Sequence, residues 1–238
     1  MLRSFNTWAF KREQPADPHL LAQSVSAAIS RNEPVSFVLY WGKGPRCALA
    51  EPERQCLDFL ASMAKRVQGA YPPGAALTLI CTDSHARLNG HSEDCIDTYF
   101  AELEVVARRF GFRCCRLGEL TAALDAAAAS VIESPSEETL ERLLPSARRW
   151  YRGSGTVEEG ALRYYRMNMI ERRAVERAFP RSIFVTFNGS ELRSLFPQSL
   201  PVFYMYSMRR GVGSKPWFVP ASTTLCGMPA CQCRAFQD

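Results

Sequence analysis

The sequence predicts an α/β fold in which helices cover both faces of a mostly parallel β-sheet. Two short apolar runs, at residues 34–40 and 76–81, are typical of strands buried on both faces, and a third strand is predicted at residues 112–117. The chain between successive runs is long enough for a helix. This alternation indicates a Rossmann-like, doubly wound sheet, in which ligands bind at the carboxyl ends of the strands.

The composition is that of an ordinary globular protein. With 238 residues, 47% hydrophobic and 22% charged, a single domain over residues 1–238 is the simplest organisation. A net charge of +5 mildly favours anionic partners but is small for a dedicated nucleic-acid domain. No apolar run approaches the roughly 18–20 residues of a membrane span, and the N-terminus lacks the apolar centre of a secretory signal. We therefore expect a cytoplasmic protein with no membrane partner.

The first half of the chain supplies the predicted strands and the helices between them. A polar N-terminal arm, residues 1–16, precedes a helix that we expect Asp17 to cap, with Pro18 at its first position. Apolar residues recur at helical spacing over residues 53–67. A further helix is predicted over residues 93–110, after Ser92 as its N-cap.

The second half is predicted to begin with a helical insertion. Residues 119–180 are rich in Ala, Glu and Arg and lack a convincing strand. Strand character returns at residues 182–187 and 201–206, with Asn188 and Gly189 as a turn signal between them. Residues 221–238 form a cysteine-containing C-terminal tail.

The nine cysteines indicate reduced thiols. Their number is odd, and a chain without an export signal has no reason to carry a disulfide framework. Most are scattered among apolar residues and are expected to be buried as small hydrophobic side chains. Cys226, Cys231 and Cys233 cluster in the tail, where a zinc site would need a fourth ligand that the nearby sequence lacks. We predict no metal and no cofactor, and a redox pair or a mobile tail remains the alternative for this cluster.

The loop after the first predicted strand could bind an anion. It carries Lys43 and Arg46 among glycines, which let the backbone approach a phosphate or carboxylate while the two cations neutralise it. A surface turn with solvated charges is the alternative.

The loop after the second predicted strand, residues 82–91, is the more polar of the two. It could supply a general acid or base, an anion clamp and an orienting amide. Its polar residues are Asp83, His85, Arg87, Asn89 and His91. A metal site on the histidines and Asp83 is the alternative, although it lacks the ligand number that a metal needs. Because both loops follow strand ends, we expect them to line one pocket.

Several segments together resemble the isocyanide (isonitrile) synthases, the tyrosine and tryptophan isonitrile synthases of the pyoverdine and dityrosine biosynthesis superfamily. The similarity is collinear over most of the chain, although each motif is short. It rests on the lysine-containing loop, the Tyr-Pro-Pro-Gly-Ala turn at residues 71–75, the strand end at 79–83, the helix at 94–103, the helix and strand at 165–183, and Lys-Pro-Trp-Phe at 215–218.

The resemblance implies an enzyme of secondary metabolism. Such enzymes join the amino group of an amino acid to the ketone of ribulose 5-phosphate and, by elimination and carbon–carbon cleavage, leave the nitrogen as an isocyanide. By this resemblance the catalytic residues are Asp83, His85 and Lys43. The substrate-binding residues are Arg46, Arg87, Asn89, His91, Lys215 and Trp217, with Tyr204 as an alternative wall for an aromatic pocket. A downstream iron- and 2-oxoglutarate-dependent oxygenase is implied as a pathway partner.

Three departures from the family pattern leave open whether the reaction is retained. Ser84 replaces a glycine, whereas Asn188 and Phe218 stand where the family has histidines. The alternative function is a non-catalytic α/β protein that binds a phosphorylated small molecule or RNA.

Two Arg-rich stretches, at residues 148–152 and 163–166, interleave cations with aromatics as RNA surfaces do. We expect their aromatics to be buried and their arginines solvated, so nucleic acid is not the expected partner. Residues 209–215 form a second candidate anion loop.

Overall fold

Six strands form one sheet in the computed structural model, which describes residues 10–12, 15–43, 46–124 and 134–207. The strands are β1 (Phe10–Arg12), β2 (Val35–Trp41), β3 (Ala75–Cys81), β4 (Arg113–Arg116), β5 (Ile183–Thr186) and β6 (Val202–Ser207). Their order is β1-β6-β5-β2-β3-β4. Every pairing from β6 to β4 is parallel, and β1 is added antiparallel at the edge. The predicted doubly wound, mostly parallel sheet is confirmed.

Seven α-helices connect or cover these strands in the described ranges. They are α1 (Pro18–Arg31), α2 (Glu51–Ala70), α3 (Asp83–Leu88), α4 (Glu93–Arg109), α5 (Leu117–Ala122), α6 (Glu137–Trp150) and α7 (Val157–Ala178). A short 3₁₀ helix, Ser190–Leu195, connects β5 to β6. The described part of the middle third is helical, as its composition predicts.

The central strand β2 is covered on both faces. Phe37 and Leu39 belong to a core that includes Leu60 of α2 and Phe100 of α4. Val38 points to the opposite face, into a core that includes residues of α7. A strand in this position needs apolar side chains at successive positions, which explains the continuous apolar run in the sequence.

The strand order reverses at the centre of the sheet. β3 and β4 follow on one side of β2, whereas β5 and β6 lie on its other side. In doubly wound sheets such a reversal opens a crevice at the carboxyl ends of the two central strands. The residues that follow β2 and β3 lie at this end of the sheet.

The structure corrects three local expectations. The N-terminal arm contributes β1, which pairs with β6. The segment over residues 82–91 contains α3 rather than only loop. Asp17 precedes α1 with a φ of 55°, but its side chain makes no cap hydrogen bond and instead accepts one from Arg193 at 2.7 Å. Ser92 does cap α4, since its hydroxyl accepts a hydrogen bond from the amide of Cys95.

The prediction that the cysteines are reduced is wrong for two of them. Cys47 and Cys95 form a disulfide. The first turn of α4 brings Cys95 to the segment that follows β2, and 48 positions of sequence separation gave no sign of this approach. Cys56 and Cys81 are buried free thiols, as predicted.

Candidate functional site

The two polar segments start side by side because β2 and β3 end at the same level. Trp41 pairs with Cys81 in the parallel register. Both the amide and the hydroxyl of Thr82 then donate hydrogen bonds of 3.1 Å to the carbonyl of Trp41. The chain therefore enters both segments from one fixed point on the sheet.

Lys43 and His91 connect the two segments. Nζ of Lys43 lies 3.2 Å from Nδ1 of His91 and 5.7 Å from the ring centroid of Tyr99, and the lysine is only 8% exposed. An ammonium group only donates, so Nδ1 accepts and the proton of a neutral ring is on Nε2. Burial, and then the charge of Lys43, lower the pKa of His91 to about 4. The pair is therefore a cation beside a neutral imidazole at neutral pH.

His85 makes the second close pair, with a residue from the other half of the sheet. Its Nε2 lies 2.6 Å from Oε2 of Glu171 in α7. The hydroxyl of Ser84 donates to the other carboxylate oxygen at 2.5 Å. Both of these donors belong to α3. The side chain of Glu171 is only 1% exposed, so its carboxylate is shielded from water. The Ser84 that departs from the family pattern thus has a defined contact.

Aromatic rings surround this histidine. The ring centroid of Tyr164 lies 5.2 Å from that of His85, and the centroid of Tyr40 lies 6.1 Å away. The buried hydroxyl of Tyr40 has no hydrogen-bond partner among the described residues. Burial, followed by the negative charge of Glu171, raises the pKa of Tyr40, and the same two causes raise the pKa of Tyr164 to about 12. Both tyrosines are therefore neutral phenols at physiological pH.

Asp83 is engaged on both carboxylate oxygens. One accepts from the amide of Gly118 at the start of α5, and the other from Nη1 of Arg87, each at 2.9 Å. A Cβ at Gly118 would lie 2.8 Å from the Asp83 carboxylate, so only glycine permits this approach. These contacts fix α3 against α5. Arg87 also donates to Glu93 at 2.8 Å, and its hydrogen bonds with Glu93 and Asp83 raise its pKa.

Arg46 is committed to an internal ion pair. Its Nη2 lies 2.9 Å from both carboxylate oxygens of Glu53, whose side chain is 0% exposed. Glu53 also accepts from the amide of Ala50, at the start of α2. Arg46 therefore neutralises a buried carboxylate in this structure, whereas we expected it to bind an external anion.

The remaining predicted site residues fall into three groups. Asn89 ends α3, where its amide donates to the carbonyl of His85, and Gly90 follows with a φ of 79°. Tyr204 is buried in the core on the α7 face of the sheet. Lys215, Trp217, Phe218 and the three tail cysteines lie outside the described residues.

Sequence reasoning missed Glu171, Tyr40 and Tyr164. Glu171 carries a signal in the sequence, because it lies in the buried stripe of α7 with Asn168 and Val175, at helical spacing. A carboxylate in such a stripe needs partners. Nothing in the sequence pattern indicates that those partners are Ser84 and His85, which lie 87 and 86 positions earlier.

The described residues contain no cluster of three or more His, Cys, Asp or Glu side chains that could hold a metal ion. Among the same residues, no helix is long and apolar enough to cross a membrane.

The fold and this site define a Rossmann-like α/β protein with polar groups at the carboxyl edge of its central strands. No family model and no curated protein matches the sequence. Its structure is similar to that of the PvcA protein from Pseudomonas aeruginosa, with a TM-score of 0.60 and 20% identity over 87% of this chain and 83% of that one. This likeness shows that the two proteins share a fold.

A second similar structure is the tyrosyl-tRNA synthetase of Archaeoglobus fulgidus in complex with L-tyrosine. Its TM-score is 0.54 and its identity 13%, over 85% of this chain and 62% of that one. This likeness shows only that the two proteins share a related Rossmann-like fold.

Proposed function

We propose that this chain is an isocyanide-synthase-like enzyme that condenses the amine of an amino acid with a pentulose phosphate such as ribulose 5-phosphate. Two observations support the proposal. The sequence resembles that family collinearly over most of its length, and the fold is similar to that of the PvcA protein over 87% of the chain. A place in secondary metabolism, with an iron- and 2-oxoglutarate-dependent oxygenase acting downstream, belongs to the same proposal.

One observation carries the proposal, namely that two different polar pairs occur at adjacent strand ends. In the first pair, Lys43 follows β2 and contacts His91 in the segment after β3. In the second pair, His85 of α3 contacts Glu171 of α7. A phosphosugar reaction needs these two kinds of group. The first pair offers positive charge to a phosphate, and the second offers a base whose proton position is controlled.

Lys43 is the anion-binding group in this mechanism. Its ammonium charge is largely removed from solvent, which strengthens its attraction for a phosphate over that of a surface lysine. The neutral ring of His91 accepts from Lys43 at Nδ1, so its Nε2 proton is the one directed elsewhere. The ammonium group of Lys43 is the donor that this pair offers to a phosphate oxygen.

His85 is the proton-transfer group. Condensation of an amine with a ketone releases the carbonyl oxygen as water, and the resulting imine then loses a proton from the neighbouring carbon. Both events need a group that accepts and returns protons near neutral pH, which an imidazole does. Asp83 and Arg46 have structural parts in this mechanism, because their charged groups are already paired within the fold.

The direct test is to incubate the purified protein with ribulose 5-phosphate and a panel of amino acids and to detect isocyanide products by mass spectrometry. Lys43→Ala should abolish binding of ribulose 5-phosphate. The matched control is Lys65→Ala, which removes an exposed lysine of α2. Binding without product from any amino acid would favour the non-catalytic alternative. Absence of both binding and product would refute the proposal.

A further inference from the structure

We propose that Glu171 is a positioning residue that fixes the proton of His85 on Nε2 and thereby leaves Nδ1 as the atom that exchanges protons with a substrate. The catalytic consequence rests on the proposed function, whereas the state of the ring does not. Glu171 brings a carboxyl group into direct contact with the ring of His85, and the other described neighbours of the ring include the phenols of Tyr40 and Tyr164.

The hydrogen bonds of Glu171 determine which nitrogen carries the proton. An ionised carboxylate only accepts, and its two oxygens receive one donor each, from Ser84 and from His85. A separation of 2.6 Å between Nε2 and Oε2 therefore requires a proton on Nε2. In the neutral ring the lone pair is then on Nδ1.

The same contact prepares His85 for the charge that it gains during proton transfer. When Nδ1 takes a proton, the ring becomes a cation, and the carboxylate 2.6 Å away already faces it. Because Glu171 is shielded from water, this attraction is stronger than it would be at the surface. The carboxylate itself keeps its charge throughout, and the proton that arrives at Nδ1 leaves from the same atom.

The competing explanation is that the pair only fastens α3 to α7. The neighbouring groups do not decide between the two roles, since Tyr40 and Tyr164 are neutral phenols whose pKa values are raised. A contact that only fastens the helices would place the same proton on Nε2, so the tautomer tests the state of the ring. The positioning role is distinguished by a loss of kcat with little change in KM when Glu171 loses its charge in a folded protein.

The experiment is nitrogen and proton NMR of the histidine rings at alkaline pH, where an ordinary imidazole is neutral. The chain has 3 histidines, so His85→Gln assigns the signals of His85 by removing them. We expect a protonated Nε2 whose proton is shifted far downfield and exchanges slowly, together with an unprotonated Nδ1.

Glu171→Gln is nearly isosteric but lets an amide N–H face the ring, so it should abolish the downfield proton and shift His85 toward the form with its proton on Nδ1. The control is Glu176→Gln in the same helix, where the carboxylate accepts from the amides of Gln198 and Ser199. This variant should leave the ring signals of His85 unchanged. In an active enzyme, Glu171→Gln should lower kcat on the order of 100-fold with little change in KM.

The inference fails if the wild-type ring carries its proton on Nδ1, or if Glu171→Gln leaves its signals unaltered. The wild-type spectrum alone decides the first point, even if the variant does not fold. A downfield Nε2 proton in a protein that makes no isocyanide would overturn the proposed function and leave the positioning contact standing. Formation of an isocyanide by a protein whose His85 carries its proton on Nδ1 would support the proposed function and overturn the positioning role of Glu171.

Discussion

The ammonium group of Lys43 lies 3.2 Å from Nδ1 of His91 and joins the segment after β2 to the segment after β3. This contact makes His91 hard to protonate, because burial and the neighbouring charge both disfavour an imidazolium. The contact between Lys43 and His91 therefore makes the free energy of unfolding depend on pH.

Stability should fall on mild acidification because of His91. Its pKa drops from 6.5 to about 4 on folding, so between these values the unfolded chain binds more protons than the folded chain. The free energy of unfolding should therefore decrease as the pH falls from about 6.5 toward 4 and lose this dependence below it. Denaturant unfolding across this range, compared between the wild type and His91→Gln, measures the contribution. Equal pH dependence in the two proteins would contradict it.

Removal of Arg46 should affect stability. Arg46→Met leaves the carboxylate of Glu53 buried and uncompensated, which costs about 3–5 kcal/mol. The double variant with Glu53→Gln should recover most of this loss, since the amide oxygen can still accept from Ala50. Urea denaturation gives these values.

The control is Arg54→Met, because that arginine is 47% exposed and its pair with Glu102 is worth less than about 1 kcal/mol. A large loss of ribulose 5-phosphate affinity in Arg46→Met, without loss of stability, would return Arg46 to the anion site.

The Cys47–Cys95 bridge should stabilise the chain by closing a large loop. For a sequence separation of 48, chain entropy gives about 4 kcal/mol. Replacing both cysteines by serine should lower the unfolding free energy by up to this amount. The double variant should also be indifferent to a reductant that destabilises the wild type, and thermal unfolding with and without dithiothreitol checks both points. An unchanged midpoint in the wild type under reduction would show that the bridge contributes nothing.

Two tyrosines should respond oppositely to loss of their hydroxyl groups. Tyr40→Phe removes a buried hydroxyl without a partner among the described residues, so stability should stay the same or rise. Tyr99→Phe removes a hydroxyl that accepts from Trp41 at 3.1 Å and should cost about 1 kcal/mol. Chemical denaturation of the two variants provides the comparison. A stability loss in Tyr40→Phe equal to that in Tyr99→Phe would indicate that Tyr40 has a partner such as water.

The fold was predictable where burial is nearly complete. β2 and β3 appear in the sequence as continuous apolar runs because helices cover both of their faces. β1 escaped prediction because an edge strand of three residues depends on its pairing with β6 rather than on its own pattern. α3 escaped because six residues are too few to show a helical period.

The candidate site was predictable only as a location. The order of apolar strands places Lys43 and His85 at the carboxyl edge, but it gives no information about which side chains meet there. Arg46 forms an ion pair with the buried Glu53, and His85 contacts Glu171 in α7. Such contacts depend on how distant segments pack, and one sequence carries no record of that packing.

His85 and Glu171 are 86 positions apart in the sequence and belong to opposite halves of the doubly wound sheet. The half containing β2, β3 and β4 supplies the imidazole, and the half containing α7, β5 and β6 supplies the carboxylate. Neither half alone holds the pair. If the chain were cut between α5 and α6, the downfield ring proton of His85 would report reassembly of the two fragments, since it forms only when they recombine.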